Sequence, residues 1–369
     1  KKALNEKELI GFYSGMHQYK KKNYKNAIEI LENISLKENN SVQNIFKYGI
    51  LAKSYDHIKE YDKAFYFFKK NNNLVGNHYG KKINEKNFIS YVNQRIEFFK
   101  DLKISRWKNY SIKNDHKDPI FLIGFPRSGT TLLDTILRTN NSVEVIEEKP
   151  ILKNFLIKLE KKTKNDFNQL DNLEEEYITE MQNFYFQERK KYLQNKNTKF
   201  VIDKLPLNII HIGEIIRFFP NAKFVFALRH PYDSVLSCFM QQFSLNPAMK
   251  NFLDIQSSSI LYDLVMKLWK IYKKNFLINF HIIKYEEVVK NFEKTTKNAF
   301  NYLGLDWTDS TKNFHLTAQN RIDISTPSYN QVTSPLYLKS ISRWKNYEKH
   351  FKETKKYLDK WVNEFDYKI

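Results

Sequence analysis

The residues best suited to chemistry form one short loop, residues 124–131, which reads GFPRSGTT. Its two glycines allow successive backbone N–H groups to point toward one anion, and its arginine and hydroxyl side chains supply further donors. A helix that begins at the end of such a loop adds the positive end of its dipole. The loop therefore predicts binding of a phosphate-like anion.

The identity of the cation in this loop narrows the kind of anion. The spacing fits a phosphate-binding loop of the form G-x-x-x-x-G-[KT]-[ST], in which nucleoside triphosphatases carry a lysine that reaches the β- and γ-phosphates. Here Thr130 stands at that position and the cation is Arg127. The sequence Arg-Ser-Gly-Thr-Thr suits a smaller anion such as a 5′-phosphosulfate. Such an anion carries less charge than a triphosphate and needs no metal ion to bridge neighbouring phosphates. A glycine turn without a ligand is the simpler alternative.

A carboxylate and a lysine follow two further predicted strands. Strand 143–146 runs into Glu147-Glu148-Lys149-Pro150, and strand 199–202 is followed by Asp203-Lys204. In a parallel sheet the carboxyl ends of strands meet at one edge, so both side chains would lie near the loop. A carboxylate that is partly buried there has a raised pKa unless a cation pairs with it, and a raised pKa suits a general base. Solvated charges are the alternative for both residues.

A second anion site is predicted where strand 222–228 ends. Arg229 follows the strand directly, and Ser237 lies eight residues later in the next helix. A guanidinium and a hydroxyl can hold one phosphate from two directions. The alternative interpretation is that Arg229 is an ordinary surface arginine and Ser237 an ordinary helix serine, with no bound phosphate.

The order of apolar periodicities predicts the elements that position these groups. Short apolar runs alternate with helical spacing, which is typical of an α/β domain with a central parallel sheet and helices in layers on both sides. The predicted strands are 120–123, 143–146, 199–202, 222–228 and 280–285, and the predicted helices are 132–138, 166–193, 211–219, 253–276 and the segment that ends near 303. We predict this phosphate-loop-like domain to span residues 119–369, after a polar linker at 101–118.

Residues 1–100 predict a separate all-α domain. Tyr24, Ala27 and Leu31 recur as Tyr61, Ala64 and Phe68, a period near that of tetratricopeptide repeats. A small alanine between large apolar residues lets paired helices approach closely. An ordinary helical hairpin domain is the alternative.

Composition limits the function classes. The chain has 369 residues, 41% of them hydrophobic, and a formal net charge of +20. The basic residues are spread along the chain and no nucleic-acid motif accompanies them, so we predict no nucleic-acid partner. No run of about 18 apolar residues predicts a membrane span. A single cysteine, Cys238, favours the cytoplasm. The chain begins at Lys1 without a methionine, which leaves open a preceding targeting segment.

Six segments, taken in chain order, give the sequence its most specific likeness. They are PRSGTT, EEKP, DKLPLN, FPNAKFVFALRHPYDSVLSCF, YEEV and the final run that contains TPS, QV and SRW. Together they resemble sulfotransferases with N-terminal tetratricopeptide repeats, which are related to tyrosylprotein sulfotransferases. The resemblance implies transfer of a sulfuryl group from 3′-phosphoadenosine 5′-phosphosulfate (PAPS) to an acceptor hydroxyl, with 3′-phosphoadenosine 5′-phosphate (PAP) as product and no metal ion.

The resemblance also implies roles for individual residues. Glu148 matches the general base, and Lys204 matches the lysine beside the transferred group. In the mechanism that follows, Arg127, Lys204 and Ser328 stabilise charge on the sulfuryl oxygens and on the leaving phosphate. Gln241 departs from the tyrosylprotein enzymes, which carry an arginine there. The residues implied in donor binding are Arg127, Ser128, Gly129, Thr130, Thr131, Arg229, Ser237, Tyr285, Ser328 and Arg343.

Two other function classes share parts of this pattern. A P-loop kinase or nucleoside triphosphatase has the same strand, loop and helix but needs the absent lysine. A helical-repeat scaffold with a non-catalytic nucleotide-binding domain needs no turnover. For a sulfotransferase the acceptor stays open among peptide or protein hydroxyls, including tyrosine, and sugar or lipid hydroxyls. The repeats could bind a peptide or form a homodimer.

Overall fold

The computed structural model describes most of the chain in two compact units. The described residues are 6–36, 41–83, 87–102, 107, 117–195, 198–319, 332–333, 336 and 340–368. The first unit comprises Lys1–Phe88, Val235–Leu261 and Ser342–Ile369, and the second comprises Ile89–Ser234 and Tyr262–Ile341. Both units are discontinuous in sequence, so the predicted domain bounds stay a prediction. Trp107, within the predicted linker, is buried and donates its indole N–H to Asp171 over 2.9 Å.

The N-terminal part of the first unit is all-helical, as predicted. Its helices are α1 (Glu6–Lys20), α2 (Tyr24–Glu32), α3 (Ser41–His57) and α4 (Tyr61–Tyr79). Ala27 and Ala64, the small residues of the predicted period, are fully buried, and Leu31 and Phe68 are buried beside them. The small side chains therefore lie at helix contacts, while assignment to tetratricopeptide repeats stays a prediction.

The second unit is built on a five-stranded sheet in which every pairing is parallel. The strands are β1 (Ile120–Gly124), β2 (Val143–Glu147), β3 (Phe200–Lys204), β4 (Lys223–Leu228) and β5 (Asn279–Lys284). Their order across the sheet is β2-β3-β1-β4-β5. The predicted strands are confirmed to within two residues at each end. Because β1 lies in the middle, the loop that follows it opens at the point where the strand order reverses, which is where such sheets bind ligands.

Further helices surround this sheet or complete the first unit. They are α5 (Phe88–Lys100), α6 (Thr130–Leu137), α7 (Ile151–Thr163), α8 (Glu175–Lys190), α9 (Ile212–Phe218), α10 (Pro231–Phe239), α11 (Ile255–Asn275), α12 (Tyr285–Lys290), α13 (Phe292–Leu303), α14 (Phe314–Gln319) and α15 (Lys355–Glu364). Short 3₁₀ segments occupy Phe167–Asn172, Pro206–His211, Met249–Leu253, Asp309–Asn313 and Arg343–Thr354.

The two faces of the sheet carry different cores. Side chains alternate along each strand, so Ile120 and Leu122 face one side while Phe121 faces the other. The first side is mostly aliphatic and packs on α6 and α13. On the second side Phe121 lies 5.7 Å from Phe224 and 5.9 Å from Tyr185, measured between ring centroids. Helices on both faces make this the three-layer α/β arrangement that the sequence predicts.

The structure divides one predicted helix and contains another helix that was not predicted. The single helix predicted at 166–193 is divided, because Leu173 is extended and separates the 3₁₀ turn Phe167–Asn172 from α8. Helix α7 was not predicted, although it buries Ile151, Phe155 and Leu159 at intervals of four residues. The helical spacing that identifies α7 is therefore present in the sequence.

Candidate functional site

Each of the five strands of the second unit ends beside a residue that the sequence singles out. Glu148 follows β2 directly, Lys204 is the last residue of β3, and residues 125–131 follow β1 directly. Arg229 directly follows β4, and Tyr285 directly follows β5. Since all strands run in the same direction, these groups share one edge of the sheet. The sheet order sets them in a row, with the carboxylates and lysine on one side of the loop and Arg229 and Tyr285 on the other.

The loop after β1 has the backbone of an anion cradle. Arg127 and Gly129 adopt left-handed conformations, with φ of 67° and 101°. The Ser128 N–H donates to the carbonyl of Phe125 over 3.1 Å, and α6 begins at Thr130. Because the first N–H groups of a helix have no acceptor within it, the start of α6 presents donors at the mouth of the loop.

Side chains in and behind the loop fit a bound anion. The Ser128 hydroxyl is buried and has no hydrogen-bond partner among the residues that the structure describes. A Cβ on Gly124 would lie 2.7 Å from that hydroxyl and 2.5 Å from the carbonyl oxygen of Ala227, so a side chain there would collide with both. A buried hydroxyl without a partner is costly, and an anion oxygen would satisfy it. These donors fit the 5′-phosphosulfate group of PAPS.

Arg229 and Tyr285 pack against the loop on the side of β4 and β5. The Arg229 Cζ lies 5.0 Å from the centroid of the Tyr285 ring. Its guanidinium donates to the carbonyls of Arg127 over 3.2 Å and Ser340 over 2.6 Å, while Nε has no partner within the described ranges. A Cβ on Gly129 would lie 3.0 Å from Cδ2 of Tyr285, so the tyrosine ring packs directly on the loop.

On the first side of the loop, a buried lysine joins two carboxylates. Lys204 Nζ lies 3.0 Å from Glu147 Oε1 and 3.0 Å from Glu148 Oε1. The Lys204 side chain is fully buried, whereas 7% of the Glu147 side chain and 35% of the Glu148 side chain are exposed. Glu148 has a left-handed φ of 51°, and its N–H donates to the carbonyl of Lys204 over 2.8 Å. A cation therefore pairs with the predicted base, and Glu147 is a partner that the sequence did not indicate.

A third carboxylate lies on the opposite face of β3. Asp203 is buried, and its Oδ2 accepts a hydrogen bond from the Tyr185 hydroxyl over 3.2 Å. Burial raises the pKa of Asp203 to about 7, while that hydrogen bond and the charge of Arg189 oppose the rise. The sequence signal for it was an acidic residue inside an otherwise apolar strand.

Three predicted donor ligands lie outside this group. Ser237 is on α10, in the stretch that belongs to the first unit. Arg343 is also in the first unit, where its guanidinium pairs with Asp56 of α3 over 2.6 Å. Ser328 is outside the described residues. The roles predicted for these three residues stay predictions.

The described part of the chain also bears on membranes and metals. Within the ranges that the structure covers, none of the helices combines the length and the apolar character needed to cross a membrane. The same residues include no group of three or more His, Cys, Asp and Glu side chains placed to hold a metal ion.

Comparison with known proteins identifies the family. A model of the sulfotransferase family matches residues 119–309, just over half of the chain. An uncharacterised protein of Aquifex aeolicus is 26% identical over 308 residues, which cover 82% of this chain and 39% of that protein. Protein-tyrosine sulfotransferase 2 of Gallus gallus is 24% identical over 245 residues, 61% of this chain and 62% of its own length. This chain therefore spans less than two thirds of either relative.

The solved structures that resemble the chain include the sulfotransferase domain of the Synechococcus PCC 7002 olefin synthase. Its sequence is 21% identical, with a TM-score of 0.40, and the alignment covers 64% of this chain and 91% of that domain. The matched family model begins one residue before β1 and includes all five strands of the sheet. The chain belongs to the sulfotransferase family.

Proposed function

We propose that the chain transfers a sulfuryl group from PAPS to an acceptor hydroxyl, with Glu148 as the general base. The observation that carries the proposal is the row of strand ends, in which an anion cradle stands next to the Lys204 ammonium and its two carboxylates. Transfer of a sulfuryl group to a hydroxyl requires an anion-binding loop that holds the donor and an adjacent base that accepts the hydroxyl proton.

The donor contacts proposed here divide between its two anionic ends. Residues 127–131 would hold the 5′-phosphosulfate, with the Ser128 hydroxyl and the first N–H groups of α6 as neutral donors. Arg229 and Ser237 would hold the 3′-phosphate, and Tyr285 would lie near the nucleotide. Arg229 gives two N–H groups to main-chain carbonyls, and its Nε–H is left to donate a charge-assisted hydrogen bond to the phosphate. Ser328 and Arg343 complete the proposed donor set.

The chemistry proposed for the chain's own residues follows from charge. PAPS supplies the sulfuryl group that the acceptor oxygen attacks, and PAP departs with the electron pair of the broken S–O bond. Glu148, whose side chain is 35% exposed, accepts the acceptor proton at a carboxylate oxygen. Arg127, Lys204 and Ser328 stabilise negative charge on the sulfuryl oxygens and on the leaving phosphate. The two cations, Arg127 and Lys204, perform the task that a metal ion performs in phosphoryl transfer.

The acceptor that we propose is a peptide or protein hydroxyl, such as tyrosine. Support comes from the name of the Gallus gallus relative, a protein-tyrosine sulfotransferase. The helical N-terminal region also supports it, because helical repeat arrays offer extended surfaces to peptides. Sugar and lipid hydroxyls are the competing acceptors, and a panel of tyrosine peptides, sugars and phenols with PAPS separates them.

Thermal unfolding with two nucleotides tests the donor. We expect PAP to raise the melting temperature by several degrees at a hundred times its dissociation constant, because a ligand that binds only the folded state stabilises it. The Arg229→Ala variant should lose this shift. As a control, Lys297→Ala removes one positive charge from the exposed face of α13 and should keep it.

The same titration with ATP and magnesium distinguishes the alternatives. A shift with ATP and none with PAP would replace the sulfotransferase proposal by a kinase or nucleoside triphosphatase. No shift with either nucleotide would favour a non-catalytic scaffold.

A further inference from the structure

Lys204 pairs with two carboxylates, Glu147 and Glu148. The proposed function gives a role to Glu148 but none to Glu147. Glu147 and Lys204 are register partners at the last step of the β2–β3 pair, so their side chains leave the sheet on the same face. Glu147 is buried and Glu148 is partly exposed, although both carboxylates lie 3.0 Å from the same ammonium. Glu147 therefore contacts Lys204 from the interior, and Glu148 contacts it from the open side.

We propose that Glu147 is a positioning residue that holds the Lys204 ammonium and, by sharing it, preserves the basicity of Glu148. The inference rests on the proposed function, in which Glu148 is the general base. Glu147 touches neither donor nor acceptor in this scheme and acts through Lys204.

Counting charges shows why the second carboxylate matters. Two carboxylates and one ammonium have a net charge of −1, and the proton that Glu148 accepts brings the cluster to zero. Lys204 still keeps Glu147 as its ion-pair partner at that point. Without the Glu147 charge, the cluster would start at zero and end at +1 around a fully buried ammonium, which is costly. Proton uptake by Glu148 would then be less favourable.

Other charged groups lie on the strands, loops and helix that adjoin this cluster in the sheet or along the chain. Arg127 lies in the loop after β1, Arg229 follows β4, and Asp203 lies on the opposite face of β3. Lys149 follows Glu148, with its Nζ 6.0 Å from the centroid of the Tyr192 ring. Lys153, near the start of α7, is exposed. The substitution proposed below leaves all five unchanged, so a difference in titration reports the charge of Glu147.

The test follows the Glu148 carboxyl by NMR in the full chain with ¹³C-labelled glutamate, with its signal assigned by loss in Glu148→Gln. In Glu147→Gln we expect the signal to titrate about one pH unit lower than in the unsubstituted protein, because Lys204 then pairs with Glu148 alone. The control is Glu144→Gln, also on β2, whose carboxylate accepts hydrogen bonds from Gln194, Asn195 and Thr198. In that variant the Glu148 signal should not move.

An identical Glu148 titration in the unsubstituted protein and in Glu147→Gln overturns the inference. If Glu147→Gln does not fold, Glu147→Asp replaces it, since its shorter side chain weakens the contact with Lys204. The expected shift is then smaller and in the same direction, and its absence also overturns the inference. The measurement needs no donor, acceptor or turnover, so failure of the proposed function appears separately, as absent PAP binding.

Discussion

Glu148 and Lys204 are joined by both main chain and side chain: the Glu148 N–H donates to the Lys204 carbonyl over 2.8 Å, and the Lys204 ammonium donates to Glu148 Oε1 over 3.0 Å. The main-chain bond prolongs the pairing of β2 with β3 by one residue. The left-handed φ of Glu148 turns the chain directly after that pairing, which ends β2 beside Lys204. The carboxylate position is thus fixed by backbone structure.

A first prediction concerns turnover. Glu148→Gln keeps the size and hydrogen-bonding capacity of the side chain but removes its basicity. We expect turnover with PAPS and an accepting hydroxyl compound to fall by about 10²- to 10⁴-fold, the usual contribution of a general base. PAP should still raise the melting temperature. In the control, Glu144→Gln, turnover should stay within about twofold of the original. Turnover that is equal in Glu148→Gln and the original protein would exclude Glu148 as the base.

A second prediction concerns the loop glycine. Gly129→Ala places a Cβ at a φ of 101° and 3.0 Å from the Tyr285 ring, so both backbone strain and a collision disturb the cradle. We expect about 1–3 kcal/mol of destabilisation and a loss of PAP affinity of about tenfold or more. Calorimetric titration with PAP measures the affinity.

The matched control for that loop variant is Gly304→Ala. Gly304 has a φ of 73° at the end of α13, and a Cβ added there would meet no atom of the described residues within 4 Å, its chain neighbours aside. The substitution should lower the melting temperature through strain alone and leave PAP affinity unchanged. Equal PAP affinities for both variants and the original protein would show that the loop conformation does not govern binding.

A third prediction concerns a buried ion pair between α5 and α9. Arg95 and Glu214 lie 2.8 Å apart, with at most 2% of either side chain exposed. Burial raises the pKa of Glu214, but the charge of Arg95 and the hydrogen bond with His211 outweigh burial and hold the pKa at about 2. We expect Arg95→Met to cost about 3–5 kcal/mol, because it leaves an uncompensated buried carboxylate.

The double variant Arg95→Met/Glu214→Leu completes this test of the ion pair. It should recover much of the stability, since no buried charge remains. Urea unfolding of the two single variants and the double variant measures the coupling. If the loss in unfolding free energy of the double variant equals the sum of the losses of the two single variants, Arg95 and Glu214 are not coupled.

A fourth prediction concerns pH and Asp203. Its pKa rises from 3.8 in the unfolded chain to about 7 in the folded protein, so the folded state binds the proton more tightly. The stability contributed by this proton is fully present below pH 3.8 and is lost as pH rises through 7. Asp203→Asn should therefore raise the melting temperature at pH 8 relative to the original protein by about 3 °C or more, and by less at pH 5. An equal difference at both pH values would contradict the raised pKa.

The sequence by itself determined the local parts of this protein. The loop GFPRSGTT, the strands and the residues at their ends were predicted because strand periodicity and glycine conformation depend on neighbours along the chain. Glu148, Lys204 and Arg229 were predicted in this way, whereas Tyr285 was predicted from the family resemblance. Helix α7 had the same kind of signal and was missed.

Only the tertiary structure decided which of these parts meet. Glu147 and Lys204 are 57 residues apart, and their contact requires β2 to pair with β3 in one register. Arg343, whose role as a donor ligand stays a prediction, pairs with Asp56, 287 residues away in sequence. Strand order and register are set by packing of both faces of the sheet, which no local pattern encodes. For that reason the sequence predicted Glu148 as the general base but gave no indication of Glu147, the buried carboxylate that pairs with the same lysine.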